Sequence, residues 1–337
     1  MVSLNRRQFT RSLLAVPAAA VVGTRLGAFT PAAAAPADFD AQVLVGQANG
    51  LLMRRTRAGD GTWDSSWEQL DTTGGTLYRV SAAGLSADTH LVAAHNTGAP
   101  SHGVLAGSDG SWTGFTPIPS QSGPTTGAPH VAVTSLGSEL HVFGASERGT
   151  ALFHTVRSSA GSWQERWTTL RSFGTITRVA TTRVGTTIDT AVLAGGKLLH
   201  AIRSSSGTWT GWGNIETSAG TIANGVLDVA LAGIGSQLHV LVVSGSSEVY
   251  HAVRRADATW QRFRKVTVLA NYRPMAISAA NVGGELQVGI IDLAASGQIV
   301  RHTIRRSDGS WATVRTVNAT GLTAAPGVLA LAGTTGS

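Results

Sequence analysis

The sequence has 337 residues and no cysteine. Disulfide bridges, zinc–thiolate sites and a cysteine nucleophile are therefore excluded, and the fold must be stabilised by core packing. Charged residues make up only 13% of the chain, and lysine occurs only at Lys197 and Lys265. No extended basic run follows the first 35 residues, so nucleic-acid binding is not expected. Low charge and 41 glycines suit short β-strands joined by tight turns.

Residues 1–35 have the features of an export signal. Asn5-Arg6-Arg7-Gln8-Phe9-Thr10 resembles the twin-arginine motif, an apolar stretch covers residues 13–22, and Ala32-Ala33-Ala34 offers a cleavage site. A membrane anchor is the alternative, but the apolar stretch is shorter than the roughly 20 residues that a bilayer requires. We expect a twin-arginine-type signal peptide over residues 1–35 and a secreted, extracellular mature chain without a membrane span. The signal holds four of the 26 basic residues and no acid, which leaves 22 basic against 19 acidic residues, a net charge near +3.

A tryptophan that closes a short turn, rich in Gly and Ser in five of the six cases, recurs six times after this segment. The six are Trp63, Trp112, Trp163, Trp209, Trp260 and Trp311, at intervals of 46 to 51 residues. A period of this size indicates a stacked or radial repeat. Glycine supplies the positive φ of a hairpin turn and tryptophan can pin the turn onto the sheet, so we assign these six residues a structural role in the first place.

Each repeat contains four short β-rich runs, which is typical of a propeller blade. The first unit, residues 41–70, lacks its leading strand, and one strand is left over at residues 327–333. The sequence therefore predicts an all-β fold, a six-bladed β-propeller of four-stranded antiparallel blades. The C-terminal strand completes the first blade, and a single domain spans residues 36–337. A linear β-solenoid is the alternative, but it has no need of a split unit.

The later repeats share the pattern His-x-x-Arg, a turn that ends in tryptophan (Gly-x-Trp, or Ala258-Thr259-Trp260 in one unit) and a second aromatic residue. It occurs as His154/Arg157/Trp163/Trp167, His200/Arg203/Trp209/Trp212, His251/Arg254/Trp260/Phe263 and, without the last aromatic, His302/Arg305/Trp311. The first two units depart from it, with Arg54 and Arg57 in one and Gly103 and Ala106 in the other. A polar residue also recurs inside the second strand of every unit, as Gln42, His90, His141, Asp189, His239 and Gln287. Buried polar residues of this kind usually satisfy other buried polar groups, which is the structural alternative to ligand binding.

This repeat resembles the blade of the bacterial fucose-binding propeller lectins of the PLL-like type, with looser similarity to tachylectin-type propellers. The resemblance implies glycan binding in shallow pockets between neighbouring blades, and it implies seven blades where this chain counts six. Aromatic faces and arginine forks suit sugar C–H groups and paired hydroxyls. We further expect His141 to lie near Arg157 and His239 near Arg254. The candidate carbohydrate-binding residues are Arg157, Trp167, Arg203, Trp212, Arg254, Phe263, Arg305, His141 and His239.

Two other functions stay open at this point, a secreted glycan-cleaving hydrolase and a protein-interaction scaffold. Sialidase-type chemistry requires an arginine cluster, a tyrosine nucleophile and an acid. The three tyrosines are Tyr78, Tyr250 and Tyr272, none of them placed beside a glutamate by the sequence pattern. No metal-ligand spacing or nucleophile elbow occurs. We therefore expect no catalytic residue, no metal, no cofactor and no enzymatic activity, with glycans or glycoconjugates as partners.

Overall fold

Six four-stranded antiparallel sheets make up the chain in the computed structural model, which describes residues 39–72, 77–95, 99–119, 121–124, 129–145 and 149–335. We name the sheets blades A to F. The predicted signal peptide over residues 1–35 lies outside the described residues. The six-bladed, all-β prediction is confirmed.

The strands follow the chain order, except that the innermost strand of blade A comes last. From inside to outside, blade A contains β24 (Pro326–Thr335), β1 (Phe39–Gln47), β2 (Leu51–Arg57) and β3 (Glu68–Thr72). Blade B contains β4 (Leu77–Leu85), β5 (Asp88–His95), β6 (Ser101–Leu105) and β7 (Thr116–Pro117). Blade C contains β8 (Val131–Leu136), β9 (Glu139–Ala145), β10 (Ala151–Arg157) and β11 (Thr168–Ser172). Blade D contains β12 (Ile176–Val184), β13 (Thr187–Ala194), β14 (Lys197–Arg203) and β15 (Gly213–Asn214). Blade E contains β16 (Val226–Ile234), β17 (Gln237–Ser244), β18 (Val249–Arg254) and β19 (Trp260–Lys265). Blade F contains β20 (Pro274–Val282), β21 (Glu285–Ala294), β22 (Gly297–Arg305) and β23 (Arg315–Thr316).

The ring closes through the pairing of β24 with β1, as the split repeat predicts. Val43 lies opposite Leu331 and Val45 opposite Leu329 in an antiparallel register. The loop before β24 is fixed as well, because the indole Nε1–H of Trp67 donates to the Asn318 carbonyl at 2.8 Å. Closure in this way removes the free edges that a terminal blade would otherwise expose.

The hydrophobic core is divided into six clusters, one at each junction between adjacent blades. The B–C junction, for example, packs Val92 and Ile118 of blade B against Leu140 and Val142 of blade C. Each blade is thus apolar on both faces, which explains why its second and third strands are rich in Val, Leu and Ala at successive positions.

Inner strands of neighbouring blades approach so closely at one end of the channel that glycine is required. A Cβ on Gly84 of blade B would lie 1.9 Å from the carbonyl oxygen of Gly333 in blade A. A Cβ on Gly233 of blade E would lie 1.8 Å from the Arg183 oxygen of blade D. Backbone carbonyls cannot yield to such a contact, so these glycines set the spacing of the blades.

Helical structure is limited in the described residues to the short α1 (Ile215–Ala219) and a 3₁₀ turn at Thr267–Leu269. Neither of these helices is long and apolar enough to cross a membrane.

Candidate functional site

The pleat of the blades directs the two ends of the His-x-x-Arg pattern to opposite faces. In blade C, Leu140 lies opposite Arg157 and His141 lies opposite Val156. Leu140 packs toward blade B, whereas His154 contacts Trp209 of blade D. Successive strand residues point to opposite faces, so neighbouring positions serve different blade junctions. The expectation that His141 meets Arg157, and His239 meets Arg254, is therefore wrong.

The recurrent polar residue of the second strand instead pairs with the histidine of the third strand in its own blade. The paired nitrogen or oxygen atoms are 2.7 to 3.0 Å apart in His90–His102, His141–His154, Asp189–His200, His239–His251 and Gln287–His302. We call these the polar pairs. The two predicted sugar ligands among them are buried, since His141 is 0% exposed and His239 3%. These two histidines hydrogen-bond other buried side chains, in keeping with the structural alternative, and a bound sugar would not reach them directly.

Each polar pair faces the tryptophan of the following blade. The indole ring lies edge-on to the histidine ring, with centroids 5.3 to 6.2 Å apart, in His102–Trp163, His154–Trp209, His200–Trp260, His251–Trp311 and His302–Trp63. Edge-to-face contacts of this kind add to the energy of burial. The repeated tryptophan therefore joins two blades in addition to closing its own turn.

The strand-end arginines face the same junctions from the same side as the tryptophans. Burial lowers the pKa of His90 to about 4 and that of His102 to about 3, and the positive charge of Arg157 contributes to both shifts. Arg203 acts in the same direction on the pKa values of His141 and His154, after burial as the main cause. The same relation links Arg305 to His239 and His251, and Arg57 to His302. The B–C, C–D, E–F and F–A clefts thus combine a polar pair from one blade with an arginine and a tryptophan from the next.

A glycine in the hairpin turn makes room for each of these guanidinium groups. A Cβ on Gly161 would lie 2.9 Å from Arg157 Nη2, and one on Gly207 would lie 3.2 Å from Arg203 Nη2. Gly61 and Gly309 stand in the same relation to Arg57 and Arg305. The glycine of the Gly-x-Trp turn thus leaves space for the arginine four residues earlier and supplies the positive φ of the turn, whereas blade E has Ala258, with φ 68°, at this position.

Blade B keeps the histidine of the repeat and loses the arginine. His102 pairs with His90, and Leu105 bridges to Trp112 where the other blades place arginine. The prediction that Gly103 and Ala106 occupy the histidine and arginine positions of blade B is therefore wrong by one residue.

The A–B cleft also differs from the other five. The guanidinium of Arg54 in blade A takes the place of the missing arginine. Its Nη2 atom would lie 3.4 Å from a Cβ added to Gly110 of blade B. Arg54 is paired there with Glu68, at 2.8 and 2.6 Å.

The second aromatic residues divide into buried and accessible ones. Trp167 is only 3% exposed, and its Nε1–H donates to the Pro119 carbonyl at 2.8 Å. Its role is that of a core residue, like Trp67 in blade A. Trp212 and Phe263 are partly exposed at the C–D and D–E clefts, and these two stay in the candidate set with Arg157, Arg203, Arg254 and Arg305.

The C–D cleft has an extended cluster of partly exposed rings. Trp209 stacks on Trp212 with centroids 6.3 Å apart, Phe173 meets Trp212 edge-on at 5.0 Å, and Arg171 lies 5.4 Å above the Phe173 ring. With Arg203, the cleft offers aromatic surface and guanidinium donors together. It is the cleft in which the predicted combination of residues is realised most fully.

Three cavities lie along the channel, lined by the inner strands. Asp228 is the one carboxylate among the described residues that line them. Paired-carboxylate catalysis needs two such groups close together. The described residues also hold no group of three or more His, Asp or Glu side chains suited to a metal ion.

One tyrosine does lie beside a glutamate, contrary to expectation. The Tyr250 hydroxyl donates to Glu248 Oε2 at 2.7 Å, and Lys265 Nζ lies 2.5 Å from Glu248 Oε1. The pKa of Tyr250 is raised, chiefly by this hydrogen bond to Glu248, which disfavours a nucleophilic phenolate. The pair therefore gives little support to sialidase-type chemistry.

The fold defines the chain as a six-bladed β-propeller. At the level of sequence, neither the protein families nor the curated proteins compared with the chain give a match. Among solved structures, the BP39L lectin from Burkholderia pseudomallei is 20% identical, with 88% of this chain and 85% of that chain covered and a TM-score of 0.60. The Aleuria aurantia lectin, described as having a six-bladed β-propeller fold and a novel fucose recognition mode, is 16% identical, with coverages of 86% and 95% and a TM-score of 0.58. AofleA from Arthrobotrys oligospora is 12% identical, with coverages of 90% and 91% and a TM-score of 0.56.

These neighbours are similar to the chain in fold. The predicted resemblance to fucose-binding propeller lectins is thus confirmed for the architecture, with six blades and not the seven that the PLL-like type implies. Sequence identities this low do not carry over binding residues one by one.

Proposed function

We propose that this protein is a carbohydrate-binding propeller without enzymatic activity, and that it binds fucose-type sugars in the clefts between blades. One observation carries the proposal. Five of the six junctions combine a buried polar pair from one blade with a tryptophan of the next, and a strand-end arginine accompanies that tryptophan in the repeat. A regular set of equivalent clefts suits a multivalent binder, whereas an enzyme concentrates its chemistry at one site.

The division of roles within a cleft follows from burial. The polar pair and the tryptophan fix the junction, while the partly exposed aromatic ring and the guanidinium remain available to a ligand. A sugar C–H face packs on an aromatic ring, and the planar arginine fork donates to adjacent hydroxyl groups. The C–D cleft, with Trp212 and Arg203, is the strongest candidate. In the A–B cleft the guanidinium of Arg54 is paired with Glu68, so we expect up to five sites.

Isothermal titration calorimetry of residues 36–337 with α-methyl-L-fucoside tests the proposal, with methyl α-D-glucoside as the control sugar. We expect fucoside binding at up to five sites. Arg203→Gln should lower the number of sites by one, whereas Arg54→Gln should leave it unchanged. Absence of heat at millimolar fucoside, with the protein folded, would contradict the proposal.

We also infer that the protein is exported in the folded state by the twin-arginine route, because the motif of residues 5–10 precedes a weakly apolar segment. Replacement of Arg6 and Arg7 by lysine should retain the protein in the cytoplasm of a bacterial host that has this pathway. Unchanged export of the double variant would contradict the inference.

A further inference from the structure

The six inner strands place one residue each at one level of the central channel, near one mouth. A register shift marks this level in blades B, D, E and F. The residues at this level, in order from blade A to blade F, are Val328, Arg79, His130, Arg178, Asp228 and Ala276. Four consecutive blades thus contribute ionisable side chains and the other two contribute aliphatic ones. The repeat gives no structural reason for this asymmetry.

The ionisable groups at this level do not balance in charge. Asp228 Oδ1 accepts from Arg178 Nε at 2.8 Å, and Oδ2 accepts from the backbone N–H of Ile277 at 3.1 Å. Arg79 reaches the same Oδ1 from the opposite side of the ring at 3.4 Å. One carboxylate therefore serves two guanidinium groups, and Arg79 makes no other hydrogen bond to the residues that the structure describes. Burial lowers the pKa of Arg79, in keeping with a cation that lacks a full set of partners.

A polar atom of His130 at this level has no hydrogen-bond partner among the described residues. This atom, Nδ1, is buried. Burial, together with the charges of Arg79 and Arg178, lowers the pKa of His130 to about 3, so its ring is neutral near pH 7. A neutral ring can carry its proton on Nδ1 and donate it to an anion. A buried polar atom without a hydrogen-bond partner requires an explanation.

These donors lie at the floor of a cavity with apolar walls. The cavity has a volume of about 310 Å³ and is lined by Arg79, His130 and Arg178, and also by Tyr78, Met275 and Val328. Tyr78 and Met275 are each 47% exposed, which is unusual for large apolar side chains in this protein. A charged floor beneath an apolar rim suits a ligand with one anionic end and one apolar end.

We propose that this channel mouth binds a small carboxylate with an apolar substituent, such as an aromatic or short-chain acid. The carboxylate accepts from Arg79, Arg178 and His130, and the substituent packs against Tyr78 and Met275. Bidentate contacts between guanidinium and carboxylate are strong and directional. The site is independent of the blade clefts, so its failure and that of sugar binding are separate results.

Calorimetry with benzoate as the probe tests this proposal, with benzamide as the neutral isostere and inorganic phosphate as the purely anionic ligand. We expect benzoate to bind at one site with a Kd below about 1 mM, and benzamide and phosphate to bind at least tenfold more weakly. Arg79→Gln should weaken benzoate binding about tenfold or more. Asp228→Asn should tighten it, because the competing carboxylate is removed. Arg264→Gln, at an exposed arginine of β19, is the matched control and should have no effect.

Met275→Ser keeps the test decisive if a channel variant fails to fold, because Met275 is exposed. It should weaken benzoate binding and leave acetate binding unchanged. Equal binding of benzoate and benzamide, or phosphate binding tighter than that of benzoate, would overturn the proposal. So would unchanged benzoate affinity in folded Arg79→Gln.

Discussion

His154 and Arg157 are three residues apart in β10, yet they belong to different clefts. The ring of His154 lies 6.2 Å from that of Trp209 in blade D. The charge of Arg157 instead acts on His90 and His102 in blade B. Each His-x-x-Arg pattern therefore contributes one half of two neighbouring clefts.

Replacement of single arginines should change the histidine pKa values of the B–C and C–D clefts independently of each other. In Arg157→Gln the pKa values of His90 and His102 should rise, because a nearby positive charge is removed, while those of His141 and His154 stay unchanged. Arg203→Gln should do the reverse. NMR titration of the histidine side chains measures both variants, each serving as the control for the other. A rise in all four pKa values in either variant would show that the clefts are not independent.

The buried histidines predict a loss of stability in mild acid. The folded-state pKa values of His141 and His154 lie near 4 and 3, below the ordinary value of 6.5. The unfolded chain therefore binds more protons than the folded chain between pH 6.5 and about pH 4. Stability in this window falls as the pH falls, by about 1.4 kcal/mol per pH unit for each such histidine.

His141→Gln provides the control for this pH dependence, because the blade F pair of Gln287 and His302 shows that glutamine fits the position. Denaturant unfolding at pH 7.0, 5.5 and 4.5 should show a shallower fall in the free energy of unfolding for this variant. An unfolding free energy that does not change between pH 7.0 and 4.5 in the parent protein would contradict the prediction.

The blade architecture could be predicted from the sequence because it depends on local signals. Strand alternation, the Gly-x-Trp turn and the surplus strand at residues 327–333 each act within one repeat, and together they give the ring and its closure. Which face of a blade a side chain occupies depends on strand register, and this was the source of the error with His141 and Arg157.

Two other features were out of reach of the sequence for similar reasons. The turn of blade B is one residue longer than that of blade C, so counting back nine residues from Trp112, as from Trp163 to His154, gives Gly103 in place of His102. The channel level formed by Arg79, His130, Arg178 and Asp228 joins residues from four repeats. No pattern within a single repeat indicates it.

Close packing of the inner strands should make Gly233 intolerant of a side chain. The methyl group of Gly233→Ala would overlap the Arg183 carbonyl, which lies 1.8 Å from the Cβ position. We expect a loss of about 3 kcal/mol in the free energy of unfolding. Gly174→Ala is the control, since its Cβ meets nothing nearer than the Gly195 Cα at 4.0 Å. Similar melting temperatures for the two variants would show that the inner strands can move apart.

Trp167 and Trp212 occupy equivalent positions in the repeat, but substitution of the first should affect stability and substitution of the second should affect sugar binding. Trp167→Phe removes the hydrogen bond to the Pro119 carbonyl and should cost about 2 kcal/mol of stability without changing sugar binding. Trp212→Ala removes a partly exposed ring that stacks on Trp209, and it should weaken fucoside binding at the C–D cleft about tenfold, or ~1.4 kcal/mol. Thermal unfolding and fucoside titration of both variants measure the two effects. If Trp167→Phe weakened binding while Trp212→Ala did not, the accessible ring would not be the one that holds the sugar, and the buried aromatic would have to act through the position of the Pro119 loop.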